Sequence, residues 1–380
     1  MAKGAYIGVD GVARKIKKGY VGVDGKARKI KKAYIGIGGV ARPCWSGGEL
    51  THYGDITKLS TARGRLTAAT IGDYALFAGG NASSSNYYSA VDTYNRQLTK
   101  GTATSLGGTR SKMAAVTVGG YALFAGGENS SSDRGEVYAY DASLTRTDPV
   151  SLIQARTELS GAAVGGYAVI AGGIYNDSVK KNVDAYDANL ICSNPAELAT
   201  KRQWHCSASI GPYALFAGGS TTSSSGGHIK SVEVYDENLT LSAAPDLPNT
   251  KTNHAGTTLG KYALFAGGTP GSGYSNTASA YDSNLTRIDA PSLSVGRGEL
   301  SVTVVEGFAI FAGGRTSTSV SNVNGAVDVY DENLVKTVQA DLSVARRALA
   351  ATTIGTYAIF AGGQTGSSSY TNSAIAYVVT

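Results

Sequence analysis

Few side chains in this chain could do chemistry, and those that could recur in register. His205 and His254 lie 49 residues apart and occupy the same position of two adjacent repeats, where the other five carry Leu66, Met113, Leu159, Leu300 and Leu349. Two imidazoles on neighbouring units could share a metal ion. No carboxylate is fixed beside them by the sequence, so no metal and no other cofactor is expected. A second set is basic, with one residue per unit: Arg63, Arg110, Arg156, Arg202, Lys251, Arg297 and Arg346. Together they could attract an anion. Because every unit has one, a repeated structural contact to a carbonyl or to a turn Asp is the expected role. Phosphate-loop and His-Glu-x-x-His patterns are missing, and no Ser nucleophile elbow stands in a strand-turn-helix context. An enzyme is not expected.

The element that must position these residues is seven letters long. Tyr-Ala-Leu-Phe-Ala-Gly-Gly runs Tyr74 to Gly80, Tyr121 to Gly127, Tyr213 to Gly219 and Tyr262 to Gly268, and returns with small changes from Tyr167, Phe308 and Tyr357. The first Gly of each pair falls at 79, 126, 172, 218, 267, 313 and 362, a period of roughly 40–50 residues that marks a repeat array. Five mostly apolar residues closed by glycines are too short for a helix and suit a strand covered on both faces. Gly-Gly ends the strand, since Gly tolerates positive φ and close backbone approach.

Around this strand each unit reads alike. Arg202 to Ile210 alternates as a first strand, Gly211-Pro212 turns, Tyr213 to Gly219 is the second strand, and Ser220 to Ser231 is a loop. Val232 to Tyr235 is the third strand, Asp236 to Asn238 a turn, and Leu239 to Leu247 holds a fourth. Four short strands per unit make a propeller blade. The third strand ends in Tyr94, Tyr140, Tyr186, Tyr235, Tyr281, Tyr330 and Tyr377, and Asp141, Asp187, Asp236, Asp282 and Asp331 follow it in five units. The seventh unit stops at Thr380 after its third strand, while residues 50–57 resemble an orphan fourth strand. That segment is expected to complete the last blade and close the ring, which removes open sheet edges. The expected domains are an arm over 1–45, a joint over 46–49 and a propeller over 50–380.

The arm has its own 14-residue repeat. Two copies carry Asp10-Gly11 and Asp24-Gly25, and a third carries Gly38-Gly39, each between β-rich runs. Asp-Gly there signals a hairpin, so three hairpins are expected, and a lone hairpin needs something to pack on. Residues 1–45 hold eleven Lys and Arg against Asp10 and Asp24, a net of +9; with +6 for the whole chain, 46–380 carries about −3. The basic residues alternate with Ile and Val, so one hairpin face is apolar. Docking on other proteins or on copies of itself, through Tyr6, Ile7, Arg14, Tyr20, Arg28 and Tyr34, fits that pattern better than a nucleic-acid tail. Cys44, Cys192 and Cys206 are an odd set without metal-type spacing. No apolar run approaches a membrane span and no secretory signal core is visible, so synthesis in a cytosol is expected.

The basic residue opening strand one, the aromatic-apolar strand closed by Gly-Gly and the Val-x-Val-Tyr-Asp third strand resemble the kelch repeat, over about residues 50–380. The fold class this implies is all-β, a seven-bladed kelch-type β-propeller with an N-terminal arm of short β-hairpins. Kelch units usually carry a Trp in the fourth strand; here Trp45 and Trp204 lie elsewhere. The arm repeat resembles segments at the head of phage- and prophage-associated proteins of Gram-positive bacteria. In a four-stranded blade the loops after Gly-Gly share one face, and these loops differ most between units. Variable polar loops with Tyr anchors on a rigid scaffold suit recognition. The expected ligand face comprises Tyr87, Tyr88, Arg134, Tyr175, Lys180, His228, Tyr274, Arg315 and Tyr370. With the resemblance, this implies a non-enzymatic attachment module of a phage tail or virion, its propeller on a bacterial surface glycan or protein and its arm on other tail proteins. A structural spacer and a sugar-acting kelch enzyme are the alternatives.

Overall fold

The structure, a computed structural model, describes residues 6–9, 12–15, 19–23, 26–30, 32–37, 40–46 and 48–380 except 225 and 320, with side chains from residue 48 onward. All assigned elements are strands, and among the described residues no helix is long and apolar enough to cross a membrane. Seven four-stranded antiparallel sheets form a seven-bladed β-propeller. In blade 4, for example, Cys206–Ile210, Tyr213–Ala217, Val232–Asp236 and Leu241–Ala244 lie side by side in chain order. Blade 7 takes three strands from Ala350–Ile354, Tyr357–Ala361 and Ala374–Val379, and its outer strand is Leu50–Ile56. The His52 ring packs on Tyr377 at 5.3 Å, and Ser343 Oγ donates to Asp55 Oδ1 at 2.6 Å.

The Gly-Gly pair is the joint between blades. The second glycine's N–H donates to the carbonyl of the basic residue opening the next blade, as in Gly80 to Arg110 at 2.8 Å, and Gly363 of blade 7 reaches Arg63 of blade 1 at 2.8 Å. At Gly79, φ is +64° and an added Cβ would lie 2.5 Å from the Arg110 carbonyl oxygen. Left-handed backbone and lack of room together demand glycine there.

Each third-strand Tyr staples its blade to the segment leaving the one before. Tyr140, Tyr186, Tyr281 and Tyr377 donate from their hydroxyls to the carbonyls of Thr104, Val150, Pro245 and Ala340 at 2.7–2.8 Å. The ring edge packs on the second-strand Phe, with Phe77 and Tyr94 centroids 5.8 Å apart and nearly perpendicular, the favoured aromatic geometry. These rings are buried within the blade sandwich.

Around the channel each innermost strand touches the innermost strands of both neighbouring blades, and Ala350–Ile354 meets Thr67–Ile71. Hydroxyls at the fourth position of these strands reach back one blade. Thr117 donates to the Thr70 carbonyl at 3.3 Å, Thr70 to Thr353, Thr353 to Val304 at 2.8 Å, Thr258 to Ser209 at 2.6 Å and Ser209 to Ala163 at 2.6 Å.

The arm contains three two-stranded hairpins, Tyr6–Val9 with Val12–Lys15, Gly19–Val23 with Lys26–Ile30, and Lys32–Ile37 with Val40–Ser46. Their turn residues, and the side chains of Tyr6, Ile7, Arg14, Tyr20, Arg28 and Tyr34, lie outside the described residues.

Candidate functional site

The first-strand basic ring is structural. All seven side chains are buried. Arg63, Arg202, Arg297 and Arg346 each donate to the carbonyl of the second-strand aromatic residue 14 positions on, at 3.2 Å. Their carboxylate partners differ from the expected turn Asp. Arg63 pairs with Asp92 at 2.9 Å, Arg156 with Asp184 at 2.7 Å, Arg297 with Asp328 at 2.8 Å, and Arg202 with Glu233. These acids lie in the third strand two residues before the Tyr, on the same inward face. The turn Asp sits past the strand end and caps its own turn: Asp236 Oδ1 accepts from the Asn238 and Thr240 amides at 2.9 and 2.8 Å. Lys251 faces no carboxylate among the described residues; it donates to Thr277 Oγ1 at 2.7 Å, and burial pulls its ammonium down to about 8.

Two residues further along the chain stands a second ring. Arg65, Lys112, Glu158, Trp204, Asn253, Glu299 and Ala348 all have φ between +50° and +55°. Left-handed backbone is uncommon for non-glycine residues, and here it is imposed by hydrogen bonds on both sides. The preceding residue bridges to the first residue after Gly-Gly of its own blade, as Gln203 does with Ser220. The left-handed residue then donates its N–H to the same position of the preceding blade. Arg65 donates to Ala348 at 2.8 Å, Lys112 to Arg65 at 3.0 Å, Asn253 to Trp204 at 2.9 Å, Glu299 to Asn253 at 2.8 Å, Ala348 to Glu299 at 3.0 Å and Trp204 to Glu158 at 3.4 Å. Six of the seven junctions carry this bond, so the backbone forms a near-continuous belt. Strand one begins where strand two ends, so the belt lies at the same end of the blades as the variable loops.

All seven belt residues line a cavity of about 690 Å³, within the range of small-molecule sites. Its floor is the next position along: Leu66, Met113, Leu159, Leu300 and Leu349, with His205 and His254. Both histidines are more than nine-tenths buried, their ring nitrogens closed off from solvent, and the backbone of Ala171 and of Ala217 in the preceding blade lies beside His205 and His254. Burial, followed by the neighbouring Arg202 guanidinium, lowers the His205 imidazole to about 3; burial and Lys251 hold His254 well below its ordinary value. Both are neutral at physiological pH. Among the described residues no group of three or more His, Cys, Asp or Glu is placed to hold a metal.

Charge divides the walls. Lys112 Nζ bridges Glu128 at 3.0 Å and Glu158 at 2.9 Å; against the pull of burial, these carboxylates keep its ammonium above the ordinary range. Glu299 takes Arg315 at 2.9 Å and Arg347.

Of the loop residues singled out from the sequence, the cavity gathers His228, Tyr274 and Arg315. Tyr274 donates to the Ser317 carbonyl at 2.7 Å with the Arg315 guanidinium 5.9 Å over its ring. The others stand away from its lining. Tyr87 is tied to Glu128 at 3.3 Å, Tyr88 accepts from Asn86 at 3.1 Å, and Arg134 lies 3.9 Å from Glu136. Lys180 lies over Tyr175 at 5.7 Å, and Tyr370 packs beside Gly64. Sequence reasoning missed the left-handed ring. Its signal was a position two past the basic residue where type changes freely inside a repeated frame.

No family model matches the chain, and no curated protein matches it. Among solved structures, one titled "Structure of YjhT" superposes with a TM-score of 0.58 at 13% identity, over 75% of this chain and 99% of that one. At that identity the likeness is one of fold.

Proposed function

We propose that this chain is a non-enzymatic recognition module of kelch type, whose ligand enters the channel mouth at the loop end of the propeller. The observation that carries the reading is the left-handed ring: seven positions with one backbone geometry and six different side-chain types, framing a cavity of about 690 Å³. A rigid scaffold that frees side-chain identity where a pocket opens is built for selection. Trp204 and Tyr274 supply aromatic faces, and Asn253, Glu158 and Glu299 supply hydrogen-bonding groups, a set suited to glycans. The arm's 14-residue repeats favour a setting in a phage tail or virion, with the arm as anchor to other tail proteins and a bacterial surface as the target.

The test is adsorption of the full chain to bacterial envelopes and to arrayed surface glycans, with Trp204→Ala and Tyr274→Ala combined. Ala already occupies the equivalent ring position in blade 7 as Ala348, so the Trp204 change suits the backbone. Loss of adsorption in the double variant supports the reading. Undiminished adsorption moves the contact elsewhere, and no adsorption by the parent chain favours a spacer.

A further inference from the structure

The charges at the mouth are unevenly satisfied. Lys112 is held between two carboxylates, and Arg315 and Arg347 share Glu299. Arg65 lines the same cavity, is half-buried, and makes no side-chain hydrogen bond or ion pair among the described residues. Counting Arg65, Lys112, Arg315 and Arg347 against Glu128, Glu158 and Glu299 leaves one positive charge, on a propeller whose net charge is about −3. In a closed ring of seven blades, blade 1, which carries Arg65, faces blades 4 and 5 across the channel. There Trp204 of blade 4 and Tyr274 of blade 5 line the same cavity. Aromatic walls with one charged group that fixes orientation are the make-up of a small-molecule site.

We infer that the mouth takes a small glycan-like ligand with one anionic group, the anion seated on Arg65 and the body of the ligand against Trp204 and Tyr274. A guanidinium offers paired N–H donors that match a carboxylate or phosphate. This inference rests on the recognition reading and narrows it to a class of ligand.

The experiment is calorimetric titration of the full chain with glucuronate and with glucose, which differ by the carboxylate. Glucuronate should bind at least about tenfold more tightly, the usual worth of a charge-assisted contact. Arg65→Asn should abolish that preference, so that the two sugars bind alike; Asn253 already holds this backbone conformation in blade 5. Trp204→Ala with Tyr274→Ala, which removes the facing aromatic wall, should weaken both sugars alike. Equal binding of the two sugars, or a preference that survives Arg65→Asn, overturns the inference. So does failure of both sugars to bind while the full chain still adsorbs through Trp204 and Tyr274, an outcome that leaves recognition standing. Loss of that adsorption dependence strikes the recognition reading itself.

Discussion

The two rings stand two residues apart in every blade and behave in opposite ways. In the buried ring the side chain is always a cation, its surroundings are closed, and its contacts run to carbonyls and to third-strand acids. In the mouth ring the backbone is constant and the side chain is free to be Arg, Lys, Glu, Trp, Asn or Ala. A repeat can therefore fix architecture at one position and release its neighbour for function, provided the backbone at the released position is held by hydrogen bonds that do not consult the side chain.

Blade 3 offers the sharpest way to break this contrast. Arg156→Met leaves Asp184 fully buried without its cation, and a stranded buried charge costs about 3–5 kcal/mol. Glu158→Ala, two residues on, removes a partly exposed partner of Lys112 that Glu128 still serves, and should cost below about 1 kcal/mol. Urea denaturation of both variants measures the gap. Equal losses would mean that the mouth ring is as structural as the buried one.

The histidines stand on the cavity floor, one residue past the mouth ring. Both imidazoles are neutral in the fold, with His205 lowered to about 3, while unfolded histidine titrates near 6.5. Between those values the unfolded chain binds the extra protons, so stability falls as pH drops below about 6.5. The expected slope is roughly 1.4 kcal/mol per pH unit for each histidine. Replacing both by Leu should flatten stability measured from pH 7 to pH 5, since Leu fills this position in four other blades. An unchanged acid profile would show that other groups govern it.

Legibility in the sequence followed side-chain repetition. The Gly-Gly strand end, the recurring third-strand Tyr and the seven-blade count could be read because the same residue type recurs in every unit; the reach of the Tyr hydroxyl to the preceding blade could not. The ion pair was harder. Asp92, Asp184, Glu233 and Asp328 supply the acid in four blades and Glu136, from another position, at 3.4 Å in a fifth, while the more regular Asp after the Tyr serves a turn. The mouth ring showed only as a position of freely changing type, because its regularity is in φ, and Trp, Lys or Glu give no hint of left-handed backbone. Likewise Tyr87 looked free for a ligand, yet its hydroxyl meets Glu128 of the next blade, a partner that no local pattern announces.

The channel belt lies between the two rings in character, and it yields the smallest of these effects. Five blades place Thr or Ser at the fourth position of strand one, and each hydroxyl donates to the preceding blade's carbonyl. Blades 3 and 6 carry Ala163 and Val304 instead, so the belt accepts bonds at those blades and donates none. Val304→Thr keeps the branched shape and places a donor opposite the Thr258 carbonyl, as Thr353 is placed opposite Val304 at 2.8 Å. Val304 is half-buried against the channel, so little apolar burial is lost. A net hydrogen bond contributes about 0.5–1.5 kcal/mol, and the urea midpoint of the variant should rise accordingly. A fall would mean that the channel wall at blade 6 is packed as the buried ring is, by side-chain shape, and that freedom of residue type ends at the mouth.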